Sequence, residues 1–278
     1  MLGAICGDII GSVYEAHNIK AKEFDLFTKF NCYTDDTVMT CAIAKASHKY
    51  KITKDKEQFK KDCIDYMKQF GRHHIRAGYG GRFLNWLLSD DTEPYNSFGN
   101  GSAMRVSSVS YVASTIEEAE ELAEISASVT HNHPEGIKGA KAVAGSVWLL
   151  LHKRDKETVK KYIEDNYYDI NFSIDSIRKD YKFDVSCQGS VPQAIVAFMD
   201  SNNYEDSIRN AVSIGGDSDT IAAITGSLAE AHYGVPKSIA IKATSYLPED
   251  LIEPLSYFYD INKIKEVEME ESKRKRHK

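Results

Sequence analysis

Glycine recurs at every fourth position near the start of the chain, at Gly3, Gly7 and Gly11, with Ile5, Ile9, Ile10 and Val13 between them. In a helix that spacing puts the glycines on one stripe while the apolar residues keep a separate face for the core. Each glycine costs about 1 kcal/mol against alanine inside a helix. Three on one stripe therefore imply that another helix backbone comes very close. A late segment offers a matching surface, since Ala222 and Gly226 repeat the spacing beside Ala223, Ser227 and Ala231. These two helices are expected to lie against each other at the centre of a bundle.

Helical periodicity also dominates elsewhere. Phe59, Cys63, Met67 and Phe70 follow one another at helical spacing, with Gly71 expected as the C-terminal cap. Thr115 to Glu118 reads as a capping box opening a helix through about Ser128. Pro134 sits at a first-turn position ahead of Ala140, Val143, Val147 and Leu151. Further helices are expected at about 190 to 200, 205 to 213, 219 to 233 and 248 to 259. Strand-like alternation is scarce, so the expected fold class is all-α, a single-domain multi-helix bundle, to which the acidic segments described below add the expectation of a metal-lined cleft. No internal repeat and no Pro- or Ser-rich linker marks a boundary, which assigns 1–262 to one domain and leaves 263–278 as a charged tail.

The chain of 278 residues is 42% hydrophobic, with 41 acidic and 35 basic side chains. Lys273 to Lys278 hold five of those basic groups, so the body carries 30 against 41, or −11. An acidic body is a poor binder of a phosphate backbone, and an anionic ligand must be held by something other than a broad basic face. Five cysteines without a CxxC pair suit reduced thiols better than disulfides or a zinc site. Asp8 interrupts the first apolar run before a signal-peptide core is complete, and no stretch approaches the roughly 20 apolar residues that cross a bilayer. A cytoplasmic protein with no membrane partner is expected. The basic tail is read as solvated.

Two segments carry the chemistry: Tyr33-Thr34-Asp35-Asp36-Thr37 and Gly215-Gly216-Asp217-Ser218-Asp219-Thr220. Each begins a helix, where a single acid is stabilised by about 0.3 to 1 kcal/mol. A second carboxylate in the same turn repels the first and exceeds what one cap needs. Two such pairs in one chain point to a cation between them, held by Thr34, Asp35, Asp36, Asp217, Asp219 and Thr220. These are hard oxygen donors, suited to Mg²⁺, Mn²⁺ or Ca²⁺ rather than Zn²⁺. Four carboxylates make a two-metal site reasonable; the competing reading is two unrelated capped helices. Neither an EF-hand nor a Walker loop fits the spacing.

Ser97-Phe98-Gly99-Asn100-Gly101-Ser102-Ala103-Met104-Arg105 is a small-residue loop leading into a helix, which can hold a phosphate on backbone amides or merely turn the chain. Phe98 is expected to stack on a base or ribose. His131 is a candidate donor to a sugar or phosphate, whereas His133 belongs at the N-cap before Pro134. His73 and His74 read as surface or core polar residues. Asp8, Ser12 and Glu15 share one helix face beside the glycine stripe, which suggests a cleft. A solvated face is the alternative, and for Asp8 it stays open.

Taken in order along residues 3 to 234, these segments resemble the ADP-ribosylglycohydrolase family. The resemblance rests on Gly3 to Ser12 with Glu15, Thr34 to Thr37, Ser97 to Gly101 with Ala103-Met104-Arg105, Thr130-His131, and Gly215 to Thr220. It implies an all-α hydrolase binding two divalent cations, Mg²⁺ or Mn²⁺, through Thr34, Asp35, Asp36, Asp217, Asp219 and Thr220. ADP-ribose contacts would fall on Ser97, Phe98, Gly99, Asn100, Gly101 and His131. Glu15, or a ligand aspartate such as Asp36 or Asp219, would be the general base. The implied reaction hydrolyses the N- or O-glycosidic bond between ADP-ribose and an acceptor, releasing ADP-ribose from an ADP-ribosylated protein or small molecule; nucleic acid would enter only as a modified acceptor. A non-catalytic ADP-ribose binder and a two-metal nucleotide-diphosphate phosphohydrolase are the alternatives. The segment Ser186 to Gln193 matches nothing in that pattern.

Overall fold

Fourteen α-helices and one 3-10 helix, with no strand, make up the described residues, 1–261, of the computed structural model. The charged tail lies outside those residues. The nearest approach to sheet pairing among them is an isolated antiparallel bridge between Gly99 and Ser186. No described helix is long and apolar enough to cross a membrane.

At the centre, α1 (Leu2–Ala16) crosses α12 (Ser218–Tyr233). The glycine stripe is their contact. A Cβ built on Gly7 would stand 2.1 Å from the Ala222 carbonyl oxygen, and one on Gly226 would stand 2.1 Å from that of Gly3. Gly11 faces the first turn of α12, where an added Cβ would lie 2.6 Å from the Asp219 Cα. Close backbone approach is thus what the three glycines make possible, and α1 from Leu2 to Gly11 and α12 from Ser218 to Ala229 are buried throughout. Polar pins tie the pair to its neighbours: the Tyr204 hydroxyl donates to the Gly3 carbonyl at 2.7 Å and Thr225 Oγ1 to the Ala194 carbonyl at 2.9 Å.

Around this pair pack α2 (Asp35–Thr53), α7 (Pro134–Leu151), α10 (Cys187–Met199), α11 (Tyr204–Ser213) and α13 (Lys237–Thr244). Behind α2 lies α3 (Lys56–His73), opened by Asp55, whose side chain accepts from the Gln58 amide at 3.0 Å. Gly71 is inside α3 and does not cap it. Its missing side chain makes room for Leu87 of α4 (Gly81–Leu88), whose methyl carbons would lie 2.7 Å from a Cβ there.

The helix α6 (Ile116–Ser128) begins at Thr115 as expected, but only half of the capping box forms. Thr115 accepts from the Glu118 amide at 3.1 Å, while the Glu118 carboxylate turns to the Ser114 amide and the Tyr50 hydroxyl. His133 caps α7 through Nδ1, accepting from the Glu135 amide at 3.1 Å.

Candidate active site

The N-termini of α2 and α12 meet at the mouth of the central pair, and each is aimed by a residue from α1 or just after it. Asp8 does the aiming for α2. It is fully buried, and its carboxylate accepts from the Thr34 amide at 3.0 Å, Thr34 Oγ1 at 2.7 Å, the Thr37 amide at 3.1 Å and Thr37 Oγ1. The open question about a solvated Asp8 is settled against solvent: this carboxylate takes the orphan donors of a neighbouring helix, a cap supplied from outside its own chain segment. Asn18, just past α1, does the same for the loop before α12. Its side chain accepts from the Gly216 amide at 2.6 Å and donates to the Gly216 carbonyl at 3.0 Å. Gly215 and Gly216 have φ of 67° and 78°, left-handed values that let the chain reverse and present Asp217.

Thr34, Asp35, Asp36, Asp217, Asp219 and Thr220 consequently line one cavity of about 500 Å³, together with Glu15. The carboxylates form two groups sharing Asp219: oxygens of Asp8, Asp36 and Asp219 lie within 4.8 Å of one another, as do those of Glu15, Asp217 and Asp219. Both oxygens of Asp8 are already accepting, so in the first group Asp36 and Asp219 are the carboxylates that could hold a cation. Asp36 Oδ2 accepts from Thr220 Oγ1 at 3.0 Å, and its Oδ1 is buried with no partner. A buried carboxylate oxygen left unpaired is costly. Burial, reinforced by Asp8 and Asp217, pushes the Asp35 carboxyl up to about 8. Burial and the neighbouring acids likewise hold Asp36 and Asp219 well above the usual carboxylate range. A divalent cation removes both penalties at once, and the all-oxygen donor set fits a hard ion.

Ser97, Gly99, Asn100, Gly101 and His131 line the same cavity. Two of the three loop amides expected to hold a diphosphate are already donating, Gly99 to Ser97 Oγ at 3.1 Å and Asn100 to the Val185 carbonyl at 2.8 Å. The Asn100 side chain is also engaged, donating to Asp217 Oδ2 at 2.7 Å and reaching Ser190 Oγ at 3.0 Å. Asn100 thereby orients a carboxylate of the acidic cluster. The segment from Ser186, which matched no pattern, backs this loop: the Cys187 amide donates to the Phe98 carbonyl at 2.9 Å.

Phe98 is not in the cavity wall. Its backbone is held by Cys187 and its ring packs edge-on against His133, with centroids 5.4 Å apart. The aromatic wall is instead Phe83, Tyr95 and the exposed Phe183.

His131 is buried, and a chain of hydrogen bonds sets its protonation. The Arg105 Nη2 donates to Thr130 Oγ1 at 2.9 Å, and Thr130 Oγ1 lies 2.7 Å from His131 Nδ1. A guanidinium only donates. With no other acceptor for its own proton among the described residues, the Thr130 hydroxyl is best satisfied by donating to Nδ1, which places the proton of the neutral ring on Nε2. Burial, then Arg105 and Arg82, hold the imidazole well below its ordinary pKa. Nε2 faces the loop, 3.1 Å from where a Gly101 Cβ would stand. Arg82 and the fully buried Arg105 both line the cavity and supply the positive potential that the acidic surface lacks. Neither residue's place in the wall could be read from spacing, because their partners Tyr95, Ser126 and Thr130 are remote in sequence.

The family model described as ADP-ribosylglycohydrolase matches residues 1–277. The chain is 27% identical to ADP-ribosylhydrolase ARH3 of Mus musculus, covering 86% of this chain and 84% of that protein. Against ARH3 of Homo sapiens the identity is 26%, covering 91% and 90%. ADP-ribosylarginine hydrolase Tri1 of Pseudomonas putida (strain GB-1) is 30% identical over 49% of this chain and 36% of its own length. Among solved structures, a chain of an ADP-ribosylglycohydrolase-related protein complex superimposes with a TM-score of 0.63 at 21% identity, covering 92% of this chain and 96% of that one, which shows the shared fold.

Proposed function

The chain belongs to the ADP-ribosylglycohydrolase family, and from that premise we propose that the cavity between α2 and α12 is where it hydrolyses the glycosidic bond between ADP-ribose and a modified acceptor. The carrying observation is that six hard-oxygen donors, Glu15, the glycine loop and a neutral His131 face one cavity. An ADP-ribose molecule has a ribose diol for the oxygen-donor end and a diphosphate for the loop end.

Thr34, Asp35, Asp36, Asp217, Asp219 and Thr220 would hold two divalent cations, Mg²⁺ or Mn²⁺. When bound, such ions neutralise the acids and polarise sugar hydroxyls and water. The chain's own groups do the rest. Glu15 projects from α1 beside Asp217 and Asp219. Burial, then Asp217 and Asp8, raise its carboxyl above the ordinary value, which suits a general base. It takes a proton from the water that adds to C1 of the distal ribose as the bond to the acceptor breaks through an oxocarbenium-like transition state, and a proton returns to the departing acceptor, so that water is added across the bond. His131 Nε2–H and the loop amide at Gly101 donate to the diphosphate, with Arg82 and Arg105 supplying charge. Phe83, Tyr95 and Phe183 take the stacking role expected of Phe98.

The substrate is an ADP-ribosylated protein or small molecule, and the linkage is selected by the cavity mouth near Phe183 and Val185. Five free cysteines support a reducing compartment, the cytoplasm. The test is incubation of defined ADP-ribosylated arginine, serine and nucleobase conjugates with and without Mg²⁺. Metal-dependent release of intact ADP-ribose is expected. Release of AMP would make this a phosphohydrolase, and binding without turnover a reader of the modification.

A further inference from the structure

Beside Tyr33 and outside the cavity lining, a second group of side chains able to ligate a metal differs from the first in chemistry. His73 ends α3, His74 follows it, and Asp250 lies in the first turn of α14 (Glu249–Ser256). His74 Nε2 lies 2.7 Å and His73 Nε2 3.7 Å from Asp250 Oδ2, and the three ligand atoms are within 4.8 Å of one another. We propose that His73, His74 and Asp250 form a binding site for a borderline transition cation of the Zn²⁺ class, separate from the oxygen-donor centre.

Three observations support it. Ligand atoms about 2.0 to 2.2 Å from a tetrahedral ion stand roughly 3.3 Å apart, and the two measured separations bracket that value, so small side-chain rotations close the site. Second, His74 already has the outer partner that metal-bound imidazoles use to fix their orientation: its Nδ1 is 3.2 Å from the Tyr33 hydroxyl. An ion on Nε2 displaces the proton that Nε2 shares with Asp250 Oδ2, and the ring proton on Nδ1 is then donated to the Tyr33 oxygen. Third, the site has an anchored side and an open side. His74 is buried to 8% exposure, whereas His73 is 71% and Asp250 41% exposed. On the open side, a cavity of about 280 Å³ lined by His73 and Asp250 with Lys45, Gln69, Phe70 and Glu253 gives access to water.

Two imidazoles and one carboxylate select Zn²⁺, Co²⁺ or Ni²⁺ over Mg²⁺, the reverse of the six-oxygen set. The ion would tie the end of α3 to the start of α14.

The full chain, freed of metal with a chelator and held in excess Mg²⁺ to fill the oxygen site, is titrated with Co²⁺. Uptake of a single ion with the visible absorption of a four- or five-coordinate nitrogen-containing site is expected, reversed by Zn²⁺. His73→Ala, on an exposed side chain that folding does not need, should weaken uptake by about tenfold or more, as should Asp250→Asn, while Asp36→Ala should leave it in place. Undiminished Co²⁺ affinity in His73→Ala and Asp250→Asn, or loss of the signal in Asp36→Ala, would overturn the assignment.

Discussion

Replacing Thr130 by valine keeps the shape of a fully buried side chain and deletes the hydroxyl between Arg105 and His131. Two consequences can be sized separately. Arg105 loses one charge-assisted hydrogen bond inside the protein, worth about 1.5 to 3 kcal/mol. Its Nη2 keeps the Ser126 carbonyl at 2.9 Å, while its Nε is already unpartnered, so little can be recovered elsewhere. A loss of this size lowers the melting temperature by roughly 3 to 5 °C in a chain of this length.

The second consequence is functional. Without a donor at Nδ1, the imidazole is free to carry its proton there, and Nε2 then presents a lone pair to the cleft. A hydrogen bond to a diphosphate oxygen becomes a repulsion. Loss of one such bond corresponds to about 1.5 to 3 kcal/mol, or roughly 10- to 150-fold in KM. The rate constant at saturation should change little, because the proposed role puts His131 at the phosphate end and not at the reacting carbon. Thr130→Ser, which restores the hydroxyl, should restore KM. The assays are steady-state release of ADP-ribose and the nitrogen chemical shifts of His131, which report the tautomer directly. A Thr130→Val protein with unchanged KM and the proton still on Nε2 would refute the relay.

Gly7→Ala should destabilise the protein. The gain of about 1 kcal/mol in helix propensity is set against a Cβ 2.1 Å from the Ala222 carbonyl oxygen, an overlap that costs about 1 to 3 kcal/mol or more; a higher denaturation midpoint would contradict the close α1–α12 contact. Asp36→Asn, similar in shape but uncharged, should abolish metal-dependent release of ADP-ribose with the helical circular dichroism unchanged, and calorimetric titration with Mn²⁺ would expose the error if full affinity survived. Metal-free protein should lose stability as pH rises from about 4 to 8. Asp35, Asp36 and Asp219 have folded pKa values above their unfolded ones, so the native state binds more protons and the slope of stability with pH is negative in that window. Added Mg²⁺ should recover most of that loss at pH 8 and little at pH 5, and a melting temperature independent of pH without metal would count against the buried acid cluster.

Much of this arrangement is legible because its signals are local. Spacing of four in Gly3, Gly7 and Gly11 states that a backbone comes close, and the repeat at Ala222 and Gly226 points to which backbone it is. Doubled acids at two helix starts nominate six cation donors without any knowledge of how the helices meet, since like charges in one turn need an outside partner. His133 as the cap before Pro134 follows from cap chemistry alone.

Other features depend on residues brought together from distant parts of the chain. Asp8 has the same local pattern whether it faces water or the start of α2, and only the crossing of α1 with α12 and α2 decided that it would be buried under four donors. Gly71 looks like a cap in sequence, yet it is an interior residue because Leu87 of α4 fills the space beside it. Phe98 stands next to the phosphate loop in sequence, while Cys187 and His133 turn it out of the wall and Phe83, Tyr95 and Phe183 replace it. Sequence by itself determined the helices and the close-contact stripe and nominated the oxygen donors, because these follow from periodicity and from repulsion between neighbours. Tertiary packing decided which acid caps a helix, which oxygen of Asp36 is left without a partner, and where the proton of His131 sits, since burial and hydrogen-bond direction are set by partners far along the chain.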